Sequence, residues 1–305
     1  MTMVRRVRSP KSPRPPAAET ARRMLRRLLA QQFAQVLESE PRAAKGSVEA
    51  LHDIRVALRR MRSLATTFRK LDEDFLEELD GRLAKVCDRM GDARDLDVWI
   101  ALFRGMAKSG GRDRVPPRER RAVLILLRRE RTRRATDALN CGLYRRTKKM
   151  LANRLKGRPP ARERAGPPPA AFAARRILAV RGLIAERRRR AGNFARDPAH
   201  DLRRAGRRMR YLTEFFGPLL GSACVRAGKW ITKAQAALGK VHDCDSALEL
   251  SKDLPSGTAR AAVRRALRKR RAAQLRKFKA AWRRYADPRL QQAWRKRLEA
   301  AAAAE

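Results

Sequence analysis

Two eleven-residue stretches hold the side chains best suited to chemistry: HDIRVALRRMR at 52–62 and HDLRRAGRRMR at 200–210. The chain has only 3 histidines, and two of them open these stretches. On a helix turning about 100° per residue, His52, Arg55, Arg59 and Arg62 fall within an arc of roughly 80°. Ile54, Ala57, Met61, Leu64 and Phe68 take the opposite side, an apolar stripe suited to a core. The second stretch repeats the layout, with His200, Arg203, Arg207 and Arg210 against Leu202, Ala205, Met209, Leu212 and Phe216. Arg60 and Arg208 lie on the flanks. A guanidinium grips oxyanions as a planar fork, and one fork per turn makes a line of donors that suits a polymer of phosphates. A merely solvated face would accept lysine, glutamate or glutamine in any order and would not need histidine twice at the same place. An aspartate follows each histidine (Asp53, Asp201), but sequence neighbours on a helix point apart, so no catalytic dyad results. Without a cluster of carboxylates the histidines are also poor metal ligands. His52 and His200 therefore read as phosphate-facing donors, charged when an anion is bound.

A second pair of motifs follows, MGDARDLD at 90–97 and LGKVHDCD at 238–245. Gly91 and Gly239 are expected to break one helix from the next, and Asp95 and Asp243 to cap or to salt-bridge the arginines of the rows. His242, the third histidine, falls where the first copy has Arg94, so both positions read as anion-facing bases. Lys85 and Lys233 match in the same register and join the candidate binding set. Catalytic carboxylates are disfavoured by the surrounding positive charge.

The elements that must position these residues are helices. Leucine, alanine, arginine and glutamate dominate, apolar residues recur at spacings of three and four, and no stretch alternates as a strand would. The pattern predicts helices over 18–38, 47–71, 74–90, 92–107, 117–154, 170–195, 198–217, 221–239, 241–252, 257–285 and 288–303, with Gly142 a candidate break in 117–154. Residues 52–97 overlay 200–245 without gaps, Arg55 on Arg203, Phe68 on Phe216, and Asp97 on Asp245. The same register carries 18–38 onto 170–195 and 117–154 onto 257–303. An all-α chain of two repeated helical bundles is expected: a disordered basic tail over 1–17, a first bundle over 18–156, a Pro-rich linker over 157–169, and a second bundle over 170–305.

Composition narrows the partners. The 305 residues are 43% hydrophobic, enough for a core, and 76 Lys+Arg against 31 Asp+Glu leave a net charge of +45. Such a chain repels itself unless a polyanion lies on it. The four cysteines, Cys87, Cys141, Cys224 and Cys244, form no CxxC pair, which speaks against disulfides and a zinc ribbon and for a reducing cytoplasm. The longest apolar run, AVLILL at 122–127, is too short to span a bilayer, and the basic start has no apolar run behind it.

With these residues in view, the chain resembles the CHAD family, the conserved histidine α-helical domain. The HDIRVALRRMR and HDLRRAGRRMR helices followed by GDARDLDV and GKVHDCDS carry the resemblance, over roughly 18–303. It implies two helical bundles related by pseudo-twofold symmetry around a basic central groove or pore. It also implies binding of inorganic polyphosphate, often at polyphosphate granules, with no catalysis of its own. By motif, His52, Arg55, Arg59 and Arg62 would line that surface, answered by His200, Arg203, Arg207 and Arg210. Two departures stand out: Arg204 replaces Val56 and is expected to add to the groove, and Gly206 replaces Leu58 and is expected to loosen the packing of the second helix. ESEPR at 38–42 approaches the ExExK motif of the tunnel domains sometimes fused to this family, but no strand surrounds it.

The leading expectation is a non-enzymatic, cofactor-free polyphosphate-binding protein, cytoplasmic and granule-associated, without membrane insertion. The competing class is a nucleic-acid or general polyanion binder, disfavoured by 5% aromatic content, which leaves few rings for bases to stack on. A polyphosphate kinase or hydrolase would need metal-binding carboxylates or a GxxxxGK[ST] loop, and that loop is absent.

Overall fold

The computed structural model describes residues 19–106, 117–157, 166–253 and 258–304. The expected tail over 1–17 and most of the expected linker over 157–169 lie outside the described residues. Among the described residues there are ten α-helices and no strand.

Capping explains several of the helix starts. Thr20 opens α1 (Ala21–Ala44) by accepting from the Arg23 N–H at 3.3 Å, and Ser47 opens α2 (Val48–Phe68) by accepting from the Ala50 N–H at 3.1 Å. α3 (Glu73–Met106) begins on two acidic residues, favourable beside a helix N-terminus. α4 (Pro117–Asn140) and α5 (Gly142–Leu155) divide at Cys141, so the expected break near Gly142 is present. The remaining helices are α6 (Pro169–Arg190), α7 (Arg196–Leu220), α8 (Ser222–Leu250), α9 (Thr258–Tyr285) and α10 (Pro288–Ala303). Asp287 caps α10, accepting from the Leu290 N–H at 3.0 Å.

Several expected boundaries are corrected. α3 runs unbroken through Gly91 and α8 through Gly239, so neither glycine separates helices. A Cβ on Gly91 would lie 3.5 Å from the Arg55 guanidinium, and one on Gly239 would lie 3.9 Å from that of Arg203. These glycines give an arginine of the neighbouring helix room to cross. α1 and α7 continue past Pro41 and Pro218, each in a last turn, so the ladder bond that proline forfeits lies at the helix end.

The repeat appears as element order. α1 and α2 start at 21 and 48, α6 and α7 at 169 and 196, which preserves the offset of the two motifs. In each run, consecutive helices one to four of the run pack on one another. α4 and α9 leave that register: Arg131 of α4 meets Asp97, whereas its counterpart on Asp245 is Arg271 of α9. Burial of the apolar stripes holds the assembly together. Ile54, Met61 and Phe68 of α2, and Met209 and Phe216 of α7, are fully buried. The Phe68 ring stacks on Phe172 at 4.7 Å and lies 5.9 Å from Phe216, its own repeat counterpart. One continuous set of buried side chains therefore runs through both halves.

Gly206 is also corrected. A Cβ there would sit 2.0 Å from Gln235 Nε2, so α7 packs more closely on α8. In register, the buried Leu58 and Cys87 of the first half stand where the second has Gly206 and Gln235, a large–small pair exchanged for a small–large one.

Candidate anion-binding site

α2 and α7 present their basic rows to one cleft of about 710 Å³. It is lined by Arg55, Arg59 and Arg62 of α2, and by His200, Arg203, Arg204, Arg207 and Arg208 of α7. α8 contributes His242, and α3 contributes Cys87, Gly91 and four aspartates, Asp80, Asp88, Asp92 and Asp95. The cleft thus unites residues from both repeats.

The arginines differ in what they touch. Arg55 is buried and donates from Nη1 to the Cys87 carbonyl at 2.8 Å, fixing α2 on α3. Arg62 pairs with Asp80 at 2.8 Å, and Arg204 with Asp201 at 2.6 Å. Glu214 accepts from Arg210 at 2.7 Å and from Arg60 of the other half at 3.0 Å. Arg60 and Arg210 do not line the cleft, being turned to the flank by that shared carboxylate. By contrast, Arg59, Arg203, Arg207 and Arg208 have no hydrogen-bond or ion-pair partner among the described residues. Burial, then Arg59, push Arg55 down to about 10; burial, then Arg59 and Arg203, do the same to Arg207. Arg203 is lowered by burial and then by Arg59. All remain charged at neutral pH, so several cations share one cleft without balancing carboxylates bonded to them.

The imidazoles sit at the edges of this field. The His200 and His242 rings stack with centroids 5.2 Å apart and planes at 27°. Burial, then Arg203 and His200, hold His242 down to about 4, and burial, then Arg204, lower His200. His52 keeps an exposed edge and does not line the cleft; burial of the rest of its ring, then Arg94, bring it to about 4. Arg94 stands to His52 as His242 stands to His200, and it also lies 3.9 Å from Asp97. The three histidines are therefore neutral near pH 7.

Lys85 and Lys233 are exposed and do not line the cleft; Lys233 lies 4.5 Å above the Trp230 ring. Asp95 and Asp243 cap no helix and make no ion pair among the described residues. Burial raises both, opposed by Arg55 at Asp95 and by Arg203 at Asp243.

Asp80, Asp88 and Asp92 of α3, and Tyr211, were not among the candidates. Register could have found Asp88 and Asp92, which stand where α8 has Ala236 and Lys240, so the cleft has one acidic wall. Among the described residues no group of three or more His, Cys, Asp or Glu could hold a metal ion, and no helix is long and apolar enough to cross a membrane.

Residues 27–252 match the CHAD domain family, and the chain belongs to it. Two solved structures share the fold. One is the CHAD domain from the plant Ricinus communis, 22% identical, covering 95% of each chain with a TM-score of 0.66. The other is PptA from Streptomyces chartreusis, 18% identical, covering 87% of this chain and 99% of that one with a TM-score of 0.64. No curated protein sequence matches the chain.

Proposed function

We propose that this protein binds inorganic polyphosphate in the cleft between α2 and α7 and performs no chemistry on it. The observation that carries this reading is the set of unpartnered guanidiniums, Arg59, Arg203, Arg207 and Arg208, drawn from both repeats into one cleft. Their mutual repulsion is relieved by an anion, and a linear polymer of phosphates can meet several forks at once. Nucleic acid is the less suited polyanion: of the Phe, Tyr and Trp rings among the described residues only Tyr211 lines the cleft, and it is buried, so the two imidazoles are the only accessible rings there for bases. Membership of the CHAD family supports the same assignment, and multivalent capture of long chains would place the protein at polyphosphate granules.

The test compares two multiple variants in a polyphosphate titration. Arg59→Ala, Arg203→Ala and Arg207→Ala together should lower affinity by about a hundredfold or more, at ~1 kcal/mol per contact. Removing Arg5, Arg6, Arg8 and Arg14 should cost far less. Equal losses would mean that the cleft is not the site.

A further inference from the structure

Each half of the molecule contains the same clip, buried in the first half and half-buried in the second, built from residues that do not line the cleft. In the first half Arg131 of α4 donates from Nε to Asp97 Oδ1 of α3 at 2.9 Å and from Nη1 to the Gly46 carbonyl at 3.1 Å. In the second half Arg271 of α9 donates from Nε to Asp245 Oδ1 of α8 at 2.6 Å and from Nη2 to the Phe194 carbonyl at 2.7 Å. Gly46 and Phe194 are repeat counterparts, and both are left-handed, with φ of 90° and 60°. Each stands just before the helix that carries a histidine-led row, α2 or α7.

A left-handed phenylalanine persists only where its surroundings over-determine it. Phe194 is buried, with its ring edge-on to Phe278 at 5.2 Å and under the Arg188 guanidinium at 4.9 Å. The clip adds the fixed carbonyl. Preservation of the contact is independent of sequence register, because Arg131 and Arg271 do not share the offset of the motifs they serve. What the two halves keep is the bridge itself: an acid two residues beyond Asp95 or Asp243, an arginine from the next helix, and the carbonyl at the entry to the row.

We infer that Arg131 and Arg271 are positioning residues for the polyphosphate cleft, each setting the entry of a basic helix against the helix behind it. The inference rests on the proposed function for its ligand. The first half also has the Arg55 bond to the Cys87 carbonyl; Arg203 makes no such bond. The Arg271 clip therefore carries more of the alignment than the Arg131 clip.

The test uses Arg131→Lys and Arg271→Lys, since one ammonium keeps the charge but cannot reproduce a fork on two acceptors. Asp245→Asn, which keeps the Oδ1 acceptor, is the shape-preserving control. Polyphosphate affinity should fall roughly fivefold in Arg271→Lys, less in Arg131→Lys, and least in Asp245→Asn. Histidine titration by NMR reads position directly. Arg271→Lys should move His200 and His242 toward the ordinary imidazole pKa and leave His52 in place, and Arg131→Lys should move His52 alone. Uniform movement of all three histidines in either variant, or unchanged histidines with unchanged affinity, would overturn the inference. A wild-type protein that does not bind polyphosphate would defeat the functional reading, while the half-specific histidine response would still decide the clip.

Discussion

A guanidinium held beside others of its kind, with no carboxylate bonded to it, raises the energy of an empty site. Arg59 is in that position: it is the first charge acting on Arg55, Arg203 and Arg207. Arg59→Ala should therefore weaken polyphosphate binding by about tenfold while leaving the melting temperature of the ligand-free protein unchanged or slightly higher. A fall in both would assign Arg59 to packing. The histidines give a pH signature. Their folded pKa values lie below the ordinary 6.5, so the unfolded chain binds more protons on the way down to about 4. Stability of the free protein should drop as pH falls through 6.5, and polyphosphate affinity should rise over the same interval because the anion favours the imidazolium. Asp95 and Asp243, raised from 3.8, act oppositely at the acid end, so the histidine effect is cleanest in the upper part of the window. Parallel denaturation and binding series across that window check both signs. The paired counterparts were not legible in the sequence. Nothing in the row HDIRVALRRMR distinguishes Arg59, left open, from Arg62, neutralised by Asp80, because the partner lies on another helix.

At the scale of helices, periodicity located most elements, since apolar stripes at helical spacing survive folding as buried faces. It failed where tertiary contact set the outcome. Glycine weakens an isolated helix, yet α3 and α8 pass through Gly91 and Gly239 because packing on α2 and α7 outweighs that propensity and an arginine uses the space. The same holds at Gly206, where the expected loosening is instead a close approach to Gln235. Gly206→Ala should cost about 1–3 kcal/mol by overpacking. Adding Gln235→Ala should recover part of it, a coupling that denaturant melts of the single and double variants would measure. Additive losses would mean that the two positions do not share one space. The offset change between α4 and α9 was hidden for a related reason: loop lengths differ, and the shared Asp–Arg–carbonyl clip becomes visible only as geometry.

The whole molecule joins a strongly cationic surface to a core that spans both repeats. Phe68 and Phe216 meet near the join, so the two basic rows are fixed to one framework and face one cleft between them. The two rows were legible as a repeat; their convergence, and the acidic wall of α3 beside them, depend on how the halves are docked. With a net charge of +45, some affinity for any polyanion is expected from counterion release alone. The central claim is stronger, that the cleft selects a chain of phosphates. The measurement that tests it most directly is a salt-series titration of long-chain polyphosphate, duplex DNA and single-stranded RNA at matched total charge. The cleft should hold polyphosphate at least about tenfold more tightly than either nucleic acid at physiological salt, and Arg59→Ala should erode that margin. Three polyanions that bind alike and weaken together with salt would contradict it, leaving the two rows as generic positive charge.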